Sequence, residues 1–207
     1  MGGSSSYFSC SCEWSGRPRR RMQVMSVQDR QRWDQRYAER DLAPAAQASI
    51  PPIFAACESL IPRAGHALEI ACGRGRAALW LAARGMQVHA VDISPVAICQ
   101  AQSMLAKSEY AERVRFEVCD LDQGLPAGPP CALLLCHNFR DARLDRPMLQ
   151  RLAPGGILAI ATLSDVGAAH PGPFRARPGE LRRAFAALEL LAEGERDGRA
   201  WLIGRQH

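Results

Sequence analysis

The sequence predicts an α/β fold, a doubly wound, seven-stranded sheet that is mostly parallel and ends in an antiparallel C-terminal hairpin strand. Three observations carry that prediction. Five apolar strand-like runs, near residues 66–71, 87–91, 114–119, 131–136 and 156–163, alternate with helical patterns at 75–84, 95–107 and 143–151. Such alternation is the sequence signature of parallel strands joined by crossover helices. The first run ends in a glycine-rich turn at Gly73 and Gly75, and the second ends in the acid Asp92. Near the C-terminus Asp197-Gly198 joins LELLAEGE to RAWLIGRQ, and D-G between apolar runs signals a hairpin of antiparallel neighbours.

Whole-chain properties bound the classes open to it. A length of 207 residues suits a leader over 1–25 followed by one domain over 26–207, long enough to bury a sizeable core. The longest apolar stretches, such as CALLLC at Cys131 to Cys136, are too short to cross a bilayer. Of the net charge of +5, Arg17, Arg19, Arg20 and Arg21 against Glu13 place +3 in the leader. The remaining 182 residues carry only +2, which argues against a dedicated nucleic-acid surface. Lys107 is the only lysine, so the basic residues reflect a compositional bias toward arginine. None of the eight cysteines forms a C-x-x-C pair, and most fall in apolar patterns where a thiol behaves as a small hydrophobe. No metal site is expected, and a reducing cytoplasm is the natural compartment.

The elements follow in chain order. The leader, with Cys10-Ser-Cys12, shows no hydrophobic period, and its arginines come too late for a signal peptide. Met1-Gly2 with Ser6 loosely fits a myristoylation pattern, and translation is expected to begin at Met22 or Met25. Ser26 caps a helix over VQDRQRWDQRYAER with Asp29 in a capping-box-like position. Trp33 and Tyr37 share one face of it, either packing it onto the domain or forming a lid over a cofactor. Pro44 and Pro51-Pro52 punctuate the connection to IFAACESLI, a short amphipathic helix before Pro62. A further helix near 178–187 precedes the hairpin.

The segment from Ala67 to Ile93 holds the candidate cofactor residues. Gly73 and Gly75 let the backbone pass close to a ligand, and the helix that starts there points free amides at it. Arg74 is placed to pair with a carboxylate or phosphate. Glu69 lies inside the first strand, where an unpaired carboxylate is costly, so a ligand ammonium is an attractive partner. Asp92, with Ile93 after it, ends the second strand, where an acid accepts both ribose hydroxyls. Asp120 ends the third strand and is placed to meet an adenine amino group. These residues leave two cofactors open, adenosylmethionine or a dinucleotide, because Gly73, Gly75 and Ala78 also satisfy G-x-G-x-x-A.

ALEIACGRGRAALWLAARGMQVHAVDISPVAI resembles motif I and the following acidic motif of the class I S-adenosylmethionine-dependent methyltransferases. VRFEVCDLD, CALLLCHNF and LQRLAPGGILAIAT resemble that family's next three motifs in order, so the likeness spans residues 66–163. The resemblance implies a Rossmann-like methyltransferase domain with S-adenosyl-L-methionine as cofactor. It implies that Glu69, Gly73 and Gly75 hold the methionine end, Asp92 the ribose, and Asp120 with Leu121 the adenine. Trp33 and Tyr37 join this cofactor set as the lid. One departure is visible, since the family's first motif I glycine is Ala71 here. WDQRYAERD and FRARPGEL are most similar to the small-molecule branch related to tellurite-resistance and thiopurine methyltransferases. Some 65 residues before the first strand, the A-P-G-G turn before the fifth and the closing hairpin stand against an NAD(P)-dependent oxidoreductase. A non-catalytic methyltransferase-like binding module is the third alternative.

The acceptor, a small molecule methylated on O, N, S or a metalloid, is expected at the tip of the fourth strand, where His137, Asn138, Phe139 and Arg140 follow CALLLC. His137 is the candidate base and Asn138 the candidate orienting amide. No N-P-P-[YF] follows the strand, so the signature for methylating exocyclic amino groups of bases is missing. His170 and Arg175 to Arg177 are candidates to shape an acceptor pocket that favours an anion. Nothing in the sequence indicates an oligomeric state.

Overall fold

The computed structural model describes residues 27–39, 48–168 and 175–207. Its strands are β1 (His66–Ile70), β2 (Gln87–Asp92), β3 (Val114–Val118), β4 (Cys131–His137), β5 (Leu152–Leu163), β6 (Glu189–Arg196) and β7 (Arg199–Arg205). The helices are α1 (Val27–Glu39), α2 (Arg76–Ala83), α3 (Pro95–Leu105), α4 (Asp145–Arg151) and α5 (Glu180–Ala184). One seven-stranded sheet runs in the order β3-β2-β1-β4-β5-β7-β6. β1 to β5 are mutually parallel, and β7 pairs antiparallel with both β5 and β6. The α/β class, the strand count and the antiparallel closing hairpin are therefore those expected from the sequence.

The apolar runs become central strands because both faces of the sheet are covered, which demands near-continuous rather than alternating hydrophobicity. On one face Leu133, Leu135, Ala159 and Ala161 pack against α2, α3 and Phe54. On the other, Leu68, Ile70, Leu134 and Leu158 pack against Met148 of α4 and Leu181 of α5. β1 has β2 on one side and β4 on the other, so the order of strands reverses there. In doubly wound sheets ligands sit outside the carboxyl ends of the strands at that reversal. At the hairpin Asp197 and Gly198 have φ of 53° and 72°, the paired positive values of a type I′ turn.

Three local expectations are corrected. Pro52–Leu60 is not an amphipathic α-helix but a 3-10 segment broken at Cys57 (φ −113°, ψ 17°). It is held by tertiary contacts instead: Phe54 is fully buried, and Arg84 donates to the Glu58 carboxylate and to the Glu58 and Ile61 carbonyls. The A-P-G-G stretch is not a turn ahead of β5 but part of that strand. Its irregularity is absorbed by a register shift against β4 between Cys131 and Leu133 and by a positive φ at Gly155. The helix expected over 178–187 is only the five residues of α5. Ser26, Pro44, His170 and the whole leader lie outside the described residues. Among the described residues no helix is long and apolar enough to cross a membrane.

Candidate functional site

The turn from β1 into α2 crosses the carboxyl edge of the sheet at the reversal point. Ala71, Gly73 and Gly75 all take positive φ, at 53°, 54° and 71°. A Cβ on Gly75 would lie 2.3 Å from the Phe116 ring, and one on Gly73 would lie 2.7 Å from the Tyr37 hydroxyl. Gly75 is thus required by space as well as by conformation, and Gly73 by its positive φ. Ala71 adopts the left-handed region without glycine's freedom, so the turn holds local strain at that position.

Two buried acids flank this turn. Glu69 is 5% exposed, and its Oε2 has no hydrogen-bond partner. Burial pushes its carboxyl up to about 8, against the opposing effect of a hydrogen bond from the Ala78 backbone, and the negative Asp92 adds to the rise. Asp92 is almost equally buried, and its oxygens accept from the Gly73 amide at 2.8 Å and the Ser94 amide at 2.9 Å. Burial raises the Asp92 carboxyl too, opposed by backbone hydrogen bonds that include Ile93, with nearby Asp34 adding to the rise. Asp92 therefore fixes the glycine turn while retaining lone pairs for a ligand.

α1 lies over this edge through polar contacts, with none of its residues buried. Asp34 accepts from Ser94 Oγ at 2.5 Å. The Tyr37 carbonyl accepts from Arg74 Nη2 and from Gln100 Nε2. Trp33 and Tyr37 stack with ring centroids 5.9 Å apart, so the pair expected on one helix face is brought to the glycine turn. Arg74 also donates Nε to Gln100 at 2.7 Å. It braces α1 and α3 rather than pointing those donors at a carboxylate or phosphate. Asp34, Ser94 and Gln100 were not singled out in the sequence, because polar groups on two helices 60 residues apart carry no periodic signal.

Beyond β3, Asp120 caps the turn at Leu121–Gln123 by accepting the Asp122 amide at 3.0 Å. Leu121 is buried in the core beneath it. Arg143 bonds both Asp122 and Asp141 and so ties this turn to the loop after β4.

At the tip of β4, burial and then the nearby Arg199 cation push the His137 imidazole down to about 4, so it is neutral at physiological pH. Asn138 follows with φ 61° and accepts from Arg199 Nη1 at 2.7 Å. Its Nδ2 lies 3.4 Å from His137 Nδ1. The fully buried Phe54 sets its ring edge between His137 and Trp201, at 6.5 and 6.4 Å. Arg140, placed by the sequence beside these groups, is withdrawn by ion pairs to Asp145 and Glu180. Arg175 is occupied as well, donating to the Ser164 and Gly198 carbonyls. The cation that does reach the β4 tip is Arg199, whose only sequence signal was a place beside the D-G turn. Among the described residues no cluster of three or more His, Cys, Asp or Glu side chains is built to hold a metal ion.

A family model described as a methyltransferase domain matches residues 67–156. An uncharacterized protein of Synechococcus sp. is 30% identical over 75% of this chain and 38% of its own length. The ribosomal RNA small subunit methyltransferase C of Chromohalobacter salexigens is 27% identical over 65% of this chain and 40% of its own. The chain thus spans about two fifths of the curated relatives it matches. Among solved structures, TehB from Haemophilus influenzae superposes with a TM-score of 0.66 at 17% identity, covering 84% of this chain and 67% of that one. Geranyl diphosphate C-methyltransferase from Streptomyces coelicolor, in complex with S-adenosyl-L-homocysteine, superposes with a TM-score of 0.62 at 15% identity, covering 72% and 75%.

Proposed function

We propose, from the methyltransferase-domain match over residues 67–156 and the resemblance of its ordered motifs to the class I S-adenosylmethionine-dependent methyltransferases, that the chain transfers a methyl group from that cofactor to a small-molecule acceptor. The observation that carries this reading is the buried, unpartnered Glu69 Oε2 beside the glycine turn. A carboxylate removed from water calls for a positive partner, and the ammonium of the methionine end supplies one. A dinucleotide brings an anionic pyrophosphate to this turn and supplies no cation for the Glu69 carboxyl.

In this reading Glu69 holds the ammonium, and Gly73 and Gly75 give the methionine end room. Asp92 takes the ribose beside Ile93, and Asp120 and Leu121 line the adenine. Trp33 and Tyr37 close over the site while Arg74 holds that closure in place. When bound, S-adenosylmethionine supplies a methyl group already activated by the sulfonium charge. The chain's own residues align the acceptor and exclude water. His137, neutral at physiological pH, has a ring nitrogen able to take a proton from the acceptor, and Asn138 orients it. The likeness to an enzyme named for geranyl diphosphate supports a small acceptor. The ribosomal RNA relative supports RNA as a second reading, but the β4 tip reads HNFR rather than N-P-P-[YF]. Six free cysteines among the described residues suit a reducing cytoplasm.

Calorimetry tests the cofactor. S-adenosylmethionine or S-adenosylhomocysteine should bind with measurable heat while NADH gives none, and the reverse result overturns the proposal. A methyl-acceptor screen with product detection then separates an enzyme from a binding module that only holds the cofactor.

A further inference from the structure

We infer that Arg199, Asn138 and Trp201 form an acceptor subsite for an anionic oxygen group, a carboxylate or an oxyanion, carried by the molecule that receives the methyl group. The inference rests on the methyltransferase reading above. Register places the parts. His137 pairs with Ala161 and Ala161 with Trp201, so the three lie in one row across β4, β5 and β7. Arg199 precedes Trp201 by two residues and therefore shares its face, one step nearer the carboxyl edge. The small Ala161 separates imidazole from indole, and the buried Phe54 ring packs against both.

Charge supplies the second argument. Among the described residues no carboxylate lies within ion-pairing distance of Arg199, and its side-chain hydrogen bond goes to the Asn138 amide oxygen. Two of the neighbouring acids are turned to other partners. Glu195 accepts from Ser164 Oγ and the Gly179 amide, and exposed Asp197 sits 3.9 Å from Arg196. Asp165 keeps Oδ1 buried, without a hydrogen-bond partner among the described residues. Arg196, paired with Arg199 in register, adds a second cation at the same edge. A guanidinium held by a neutral amide gains a stronger, two-pronged partner when a carboxylate or oxyanion arrives. The half-exposed Trp201 offers a flat apolar wall beside that charge. Neutralising Arg199 also removes part of what keeps His137 from accepting a proton.

The test uses the full chain saturated with S-adenosylhomocysteine, titrated with benzoate, selenite and benzamide. NMR follows the Asn138 side-chain amide and the His137 imidazole. At least one anion should shift both signals with affinity about tenfold or more above benzamide. Arg199→Gln should abolish that preference and Arg199→Lys, which keeps the charge but loses the two-pronged geometry, should retain only part of it, with S-adenosylhomocysteine affinity and melting temperature unchanged. Benzoate ahead of selenite assigns an organic carboxylate, and the reverse order assigns an inorganic oxyanion. No anion binding, parity with benzamide, or anion binding that survives Arg199→Gln overturns the inference. Failure of the chain to bind S-adenosylhomocysteine at all overturns the methyltransferase reading instead.

Discussion

Replacing Glu69 with glutamine tests the site from two directions. In the ligand-free fold the acid holds its proton up to about 8 instead of the ordinary 4.5, because burial penalises the charged form and the negative Asp92 adds to that penalty. A folded-state pKa above the unfolded one means stability that is fully present below pH 4.5 and lost as pH rises toward 8. Ionising Glu69 in the fold costs roughly 5 kcal/mol at the high-pH limit. Between pH 5 and pH 8 the loss is about 3 kcal/mol. For a domain of this size that lowers Tm by about 10 °C. Glu69→Gln carries no ionisable proton at this position, so its melting curve should flatten across that range. Binding reads the same group with the opposite sign. A cationic ligand must drive the proton off Glu69, so S-adenosylhomocysteine should release about one proton at pH 7 and bind up to tenfold tighter for each pH unit of rise toward 8. Titration calorimetry in phosphate and in Tris measures that proton directly. Glu69→Gln should release none and bind more weakly. Binding at pH 7 without proton release, or a variant with the wild-type pH slope, refutes the role given to Glu69.

Three further outcomes follow from the same turn. Asp92→Ala should weaken S-adenosylhomocysteine binding by about 1.5–3 kcal/mol, the scale of hydrogen bonds to a charged group. It should also lower the melting temperature, because the Gly73 and Ser94 amides lose their acceptor; unchanged affinity in calorimetry removes Asp92 from the site. Gly75→Ala should destabilise the fold by about 2 kcal/mol or more, since its Cβ would overlap the Phe116 ring at a positive φ. Denaturant melts showing no loss would contradict the packing described for that turn. Ala71→Gly should be neutral to stabilising by up to about 1 kcal/mol, as relief of left-handed strain outweighs the entropy of an added glycine. A clear loss in the same melts would mean that Ala71 is not strained.

What the residues alone determined follows from local physics. Apolar runs buried on both faces had to be parallel strands, D-G had to turn a hairpin, and an acid at a strand end beside a glycine turn marked a candidate ligand edge. Local pattern failed where tertiary contacts override propensity. IFAACESLI has helical spacing but is bent at Cys57 and anchored by Phe54 and Arg84. It failed too for side chains whose partners are distant in sequence. Arg74, Arg140 and Arg175 were equally plausible ligand contacts as bare arginines. Only the fold spends them on Gln100, on Asp145 with Glu180, and on two carbonyls. The same fold slides β7 between β5 and β6, and that insertion carries Arg199 to the β4 tip beside Asn138. Strand order, unlike strand identity, is decided by packing across the whole sheet, so the surroundings of the β4 tip are where the tertiary structure had the last word.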